Sequence, residues 1–380
     1  MPTRATRGET APLRGSPEAP ARGRSAPGAL TLFSALLALI AGACSKAEPA
    51  RAWHDGREIE TLELRYQGSP GAVSPPELAE DLGYLAPIRL VHVGDVLGGP
   101  QSIQAVVTGD TDFGSAFNGA IIKLIAARAP LRSVLGSYGV NEQFWSGFYV
   151  LDDSPIRGAR DLIGKKISMN TLGAHSEFMT KEYLFRSGLG AEARQVTLVV
   201  VPPVNGEQAL RQKQVEVAIL GNVYRDRALE RGGIRAIATD HELFGAFTAG
   251  SYVMSTRFIE AHPNATRKFV EATAKAIAWT QSTPREEVLA RFASILRKRN
   301  RNEDDSILKY WRSYGVAGKG GVLDDSDFQI WIDWLIRDGE LRPGQVNARD
   351  LYTNDLNPYA SGKPTDGQPH DRGPTPAATP

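Results

Sequence analysis

Apolar residues along this chain follow two alternating patterns: short β-branched runs, and longer stretches in which the apolar positions return every three or four residues. That alternation predicts an α/β chain in which helices layer against parallel strands, not a sandwich of strands alone. The first predicted unit holds a strand at 60–66 and a helix opening at Ser74-Pro75, with Ser as N-cap and Pro in the first turn. A strand at 88–93, a helix at 102–108 closed by Gly109, a strand at 111–114, a helix at 118–128 and a strand at 132–137 complete it. A second unit begins near Ser154, with strands at 166–169, 195–201, 215–220 and 234–237 and helices at 174–186, 205–212 and 224–231. Two apolar runs, 147–151 and 251–255, bracket this unit and are expected to be paired strands that cross between two lobes. From Pro263 onward the pattern is helical, at 272–281, 285–299, 306–314 and 328–337, and Trp311, Trp331 and Trp334 are expected in the core.

The two units echo each other. Residues 105–114 and 209–218 share a helix end, a tight turn and a strand carrying one acid, Asp112 or Glu216, which predicts two similar lobes with each acid capping or pairing structurally. Before the first unit stands an Arg-bearing stretch, the apolar run 29–40, the small residues Ala41-Gly42-Ala43 and then Cys44. This is the order of a secretory signal, and the run is short for a membrane span, which needs about 20 residues. Cys44 is the only cysteine of the 380 residues, so no intramolecular disulfide is possible. It is expected to carry a lipid, the alternative being a leftover thiol behind an ordinary secretory signal. Five of the 44 basic and two of the 43 acidic residues fall in 1–43, so the remainder is slightly acidic, which argues against a nucleic-acid partner.

Candidate chemistry is sparse. The six histidines are scattered, no phosphate loop, dinucleotide fingerprint or nucleophile elbow occurs, and no metal, cofactor or catalytic residue is assigned. What recurs is a strand-to-helix turn rich in small and polar residues. Open α/β sheets bind ligands at such turns, where unpaired backbone N–H groups and the positive end of a helix dipole can hold a polar or anionic group. The candidate turns are Tyr66-Gln67-Gly68-Ser69, Gly114-Ser115-Ala116-Phe117-Asn118, Thr171-Leu172-Gly173-Ala174-His175 and Gly221-Asn222-Val223-Tyr224. Ser115 and Asn118 could equally cap the helix that follows. Tyr138 joins the candidates as an aromatic wall beside Tyr66, Phe144, Trp145, Phe148 and Phe247.

Several segments resemble a known family. Residues 154–167, SPIRGARDLIGKKI, are similar to the entry segment of the second lobe in the nitrate, taurine and alkanesulfonate group of periplasmic binding proteins, which shares its fold with thiamine-pyrimidine-precursor binding and synthase proteins. Residues 107–116, VTGDTDFGSA, the Ala129-Pro130 to Val134 strand and the Leu172-Gly-Ala-His175 turn also resemble that group, over about residues 60–300. The Cys44 segment is similar to a bacterial lipobox with Ala41 in place of Leu.

The resemblance implies an α/β, two-lobed type II periplasmic-binding fold with parallel-rich sheets, crossover hinge strands and a helical C-terminal extension. The expected division is a signal peptide at 1–43, a tether at 44–59, a discontinuous first lobe at 60–148 and 249–360, a second lobe at 149–248 and a disordered tail at 361–380. The expected function is that of an exported, lipid-anchored, monomeric solute-binding component of an ABC importer, delivering a sulfonate-, taurine- or nitrate-like solute to a membrane permease. Pyrimidine-precursor binding, a pyrimidine-synthase-like enzyme and a sensor module are the alternatives. Carried over by position, the resemblance supports Gln67, Ser115, Gly173, Ala174, His175 and Asn222 as cleft residues.

Overall fold

The computed structural model describes residues 52–360 except 302 and 304. The expected signal peptide, Cys44 and the tail 361–380 lie outside the described residues.

The described residues begin with a hairpin, β1 (Ala52–His54) and β2 (Arg57–Ile59), within the segment expected to be a tether. Its turn is Asp55-Gly56, both at positive φ (48° and 73°), a two-residue connection that favours Asp-Gly and closes a tight hairpin. Ile59 then enters the core, which anchors the hairpin.

Next come β3 (Glu63–Gly68), α1 (Pro75–Asp81), β4 (Arg89–Asp95), α2 (Gly99–Thr108), β5 (Phe113–Phe117), α3 (Asn118–Ala126) and β6 (Leu131–Val140). The helices start and stop where the local chemistry directs. Ser74 caps α1 with Pro75 in its first turn, and α2 ends on Gly109 in the left-handed region. The chain then passes to β7 (Ser146–Leu151), β8 (Lys166–Met169), α4 (His175–Arg186), β9 (Thr197–Val200), α5 (Pro203–Arg211), β10 (Val217–Gly221), α6 (Asn222–Glu230), β11 (Ile234–Thr239) and α7 (Asp240–Phe244). It returns through β12 (Phe247–Ser255) to α8 (Thr256–Ala261), α9 (Pro263–Ser282), α10 (Arg285–Arg299) and α11 (Ser326–Arg337). The helix expected at 306–314 is a short 3-10 turn, Ser306–Tyr310.

The sheets are mixed. Strands joined by a helical crossover run parallel, as β3 with β4 and β8 with both β9 and β10. Strands arriving from the other half of the molecule enter antiparallel: β7 lies between β10 and β11, and β12 lies between β5 and β6. The runs 147–151 and 251–255 therefore do not pair with each other; each is a central strand of a different sheet. Strand order in the five-stranded sheet is β11-β7-β10-β8-β9.

The sequence echo has a structural meaning. Asp112 accepts a hydrogen bond from the Arg65 N–H of β3 while its own N–H donates to Arg65 O; Glu216 makes the same pair of bonds with Lys166 of β8. In both halves, one acid that follows a helix and a tight turn ties the chain entering a strand, β5 or β10, to an earlier strand, β3 or β8. Asp112 also holds the Arg65 guanidinium, at 2.7 Å.

Trp331 and Trp334 of α11 are buried in a core with Phe117, Phe178, Phe247 and Phe328, as expected, and Trp311 packs on the core beneath α9 and α10. Among the described residues, no helix is long and apolar enough to cross a membrane.

Candidate functional site

The turns at the carboxyl ends of β3 and β5 and the starts of α1, α2 and α4 converge on one cavity of about 380 Å³. Tyr66, Gln67, Gly68, Ser115 and Tyr138 line it from the first half of the molecule, and Asn170, Ala174 and His175 from the second. At its lip the halves touch: a Cβ added to Gly98, just before α2, would fall 2.6 Å from Thr171 Cγ2. Gly98→Val is therefore expected to force the two sides apart here and to cost about 1–3 kcal/mol of stability, the usual range for overpacking. Thr171→Gly in the same chain should restore much of that loss, and urea unfolding of Gly98→Val that matches the parent would contradict the contact.

Beneath the first wall lies a buried polar network. Glu77, 5% exposed, accepts from the Tyr66 hydroxyl at 2.6 Å and from the Ser74 N–H and hydroxyl at 2.9 and 2.7 Å, and pairs with Arg299 at 3.1 Å. Burial, reinforced by the Glu77 charge, pushes the Tyr66 hydroxyl's pKa well up, so it stays a neutral donor. The tyrosine ring stacks on Phe113 with centroids 5.8 Å apart. Ser115 Oγ donates to Ser137 Oγ at 2.7 Å, and its N–H to Ser102 Oγ.

In the second wall His175, the first residue of α4, stacks on Phe117 with centroids 5.1 Å apart and planes 7° from parallel. Its Nε2 stands 3.5 Å from Asp240 Oδ2. Burial pushes the imidazole down to about 4 and the Asp240 carboxyl up to about 7. Asp240 also accepts from the Ser146 N–H at 2.9 Å, which ties together the two places where the chain changes sheets. Arg225, fully buried, backs this junction by donating to Trp145 O at 2.8 Å and lying 3.5 Å from the centre of the Trp145 ring.

Four sequence candidates lie apart from the cavity. Asn118 is buried, its amide donating to Thr248 O and Asp327 O and accepting from Ser251 Oγ, so its polarity is spent on tertiary bonds rather than on a cap. Gly173, at φ +71°, turns the chain into α4, with its N–H bonded to Glu177. Asn222, at φ +51°, bonds through its N–H to Trp145 O, and Tyr224 sits beside Arg227. Reasoning from sequence passed over Glu77, Gly98, Asp240 and Arg225. Only Glu77 left a clear signal, the Ser74-x-x-Glu77 capping box.

The buried carboxyls set a pH dependence. Burial pushes Asp327 up to about 7, like Asp240, so the folded chain holds protons that the unfolded chain has released. Each contribution is absent below the ordinary carboxylate range and grows as a destabilisation while pH rises through about 4 to 7; neutral His175 works in the opposite sense below about pH 6.5. With two groups against one, urea unfolding should occur at higher denaturant at about pH 5.5 than at about pH 8, and Asp327→Asn should flatten that difference.

Among the described residues one group, His54, Asp55 and Glu271, has the spacing to hold a metal ion. His54 and Glu271 already bond to each other at 3.2 Å, and Arg267 lies 3.9 Å from Glu271, so these side chains are engaged with one another.

The fold is shared with proteins of known structure. An alkanesulfonate-binding protein, SsuA of Xanthomonas axonopodis pv. citri, solved with MOPS, is 20% identical over 77% of this chain and 99% of its own, with a TM-score of 0.59. The periplasmic nitrate-binding protein NrtA of Synechocystis PCC 6803 is 14% identical over 78% and 88%, with a TM-score of 0.62. The desulfurization enzyme DszB is 17% identical over 78% and 97%, at 0.50. These likenesses establish the two-lobed periplasmic-binding fold. No curated protein matches the sequence significantly. The family described as NMT1/THI5 like matches residues 91–287, just over half of the chain, and this protein belongs to it.

Proposed function

We propose that this chain is the extracytoplasmic solute-binding component of an ABC importer, closing on a small polar or anionic organic solute of the sulfonate, taurine or nitrate type and handing it to a membrane permease. The observation that carries this reading is the meeting of two helix starts, α2 from one lobe at Gly98-Gly99 and α4 from the other at Ala174-His175, in a single cavity. Helix starts present free N–H groups and a partial positive charge, which together hold an anion. No Lys or Arg is among the lining residues and His175 is neutral, so the backbone N–H groups of the helix starts supply positive potential at the wall, with the Arg301 guanidinium behind Gly68 and Tyr66 adding to it.

The aromatic lining favours a second ligand class. Tyr66, Phe113, Phe117, Tyr138, Tyr252 and Tyr314 suit a flat heteroaromatic ring, as in a pyrimidine precursor of thiamine. Calorimetry of the purified protein against alkanesulfonates, taurine, nitrate, carboxylates and aminopyrimidines separates the readings by which arm releases heat; silence in every arm would overturn both.

The role is binding without covalent chemistry. Cys44, the single cysteine, stands in the signal region, whereas the synthase alternative, as the family resemblance has it, needs a Cys-rich segment. We further propose that Cys44 is lipidated after export and tethers a monomer to the membrane. Cys44→Ser should move the protein from the membrane to the soluble fraction and abolish acyl-chain mass on the N-terminal peptide; an unchanged distribution would contradict the anchor.

A further inference from the structure

The two lobes touch in very different ways around the cavity. At the lip the contact is Gly98 against Thr171, flanked by Leu97 and Leu172, which are 59% and 51% exposed. On the opposite wall, α4 of the second lobe is set into a core that belongs mainly to the first. Phe178 of α4 packs edge-on against Phe117 at 4.9 Å and lies 4.3 Å from Trp334 and 5.8 Å from Trp331 of α11. Trp331, fully buried, also meets Phe117 at 4.6 Å and Phe247 at 5.8 Å, both on strands of the β5-β12-β6 sheet.

Charge fastens the same contact from outside. Lys181 reaches Asp338 at 3.2 Å, Arg337 bonds Glu182, and the Arg337 guanidinium lies 3.7 Å from the centre of the Phe185 ring. The chain between α10 and α11 grips the second lobe again at α6 through Arg312 with Asp226 and Lys309 with Glu230, pairs whose exposed partners make them the weaker fastening.

From this asymmetry we infer that α11 is an inter-lobe strap. It holds α4, and with it the Ala174-His175 edge of the cavity, against the first lobe, so that the cleft opens at the Gly98–Thr171 lip while the α4–α11 contact stays shut. Separating the lobes as two independent bodies would expose Phe178, Trp331 and Trp334 to water; parting the lip exposes little that is not exposed already. One wall of the cavity is thereby positioned before any ligand arrives, which lowers the ordering that binding requires.

The inference rests on the capture reading, and its test needs no ligand. In a Cys44→Ser background, one spin-label pair is placed at the lip with Leu97→Cys and Leu172→Cys, and another across the strap with Ser187→Cys and Asp333→Cys, an exposed position of α11 that takes no part in the ion pairs. Distance distributions of the ligand-free protein should be broad or two-peaked at the lip and single and narrow at the strap. Broadening of both pairs together would overturn the strap, as would two narrow distributions, whatever calorimetry says about solutes. Lys181→Ala with Arg337→Ala, changes outside the buried core, should broaden the strap distribution while leaving circular dichroism unchanged; a distribution as narrow as before would show that these charges fasten nothing.

Discussion

Trp331→Ala is expected to cost about 3–5 kcal/mol of folding stability, the usual range for deleting a buried large aromatic side chain. The indole is fully buried, and five aromatic rings surround it: Phe117, Phe178, Phe244, Phe247 and His175, with centroids between 4.6 and 6.3 Å away. Its Nε1 has no hydrogen-bond partner, so the loss is packing alone and the cavity left behind is lined by rigid rings that collapse poorly. Trp331→Phe should recover most of it. Urea unfolding measures both variants, and a loss below about 1 kcal/mol for the alanine variant would mean that this core is far looser than its contacts indicate.

Glu77→Ala should cost about 2–4 kcal/mol, for a different reason. The carboxylate carries an ion pair and three further hydrogen bonds; its removal leaves the buried Tyr66 hydroxyl and the Ser74 N–H without their acceptor, while Arg299, 7% exposed, keeps Glu303 at 3.2 Å and Ala72 O at 2.7 Å. Because Tyr66 and Ser74 both line the cavity, ligand affinity should fall as well. Glu77→Gln, which keeps an acceptor for the Tyr66 hydroxyl and leaves the Arg299–Glu303 pair in place, should recover part of the stability. If Glu77→Ala unfolds as the parent does, the network beneath the cavity is not structural.

Much of the fold was legible in the order of apolar runs. The strand expected at 166–169 is β8, and the helix expected at 174–186 is α4 to within one residue, because in an α/β chain each element has its own apolar signature and a glycine or proline at its end. Which strands pair was not legible. The partners of β7 and β12 come from distant parts of the chain, and nothing local in 147–151 or 251–255 records them. The Asp55-Gly56 hairpin was readable but was masked by the lack of apolar alternation around it.

The cavity was legible at the level of backbone and opaque at the level of side chains. Turns such as Tyr66–Ser69 and Asn170–His175 reach the cavity because strand-to-helix connections of an open sheet end on one side of it. Asn118 is the same kind of residue at such a turn, yet its amide answers buried backbone groups at Thr248 and Asp327; Asn222 reaches Trp145 O only through its main-chain N–H. A polar residue at a turn serves tertiary structure or ligand with the same chemistry, and only the fold separates the two uses.

A crystal structure of the protein with a solute that binds in calorimetry tests the central claim most directly. The account predicts that the solute bridges the start of α2 at Gly98-Gly99 and the start of α4 at Ala174-His175, with an aromatic ring of Tyr66 or Tyr138 along its side. A solute bound to one lobe alone, or anywhere outside this cavity, would contradict it.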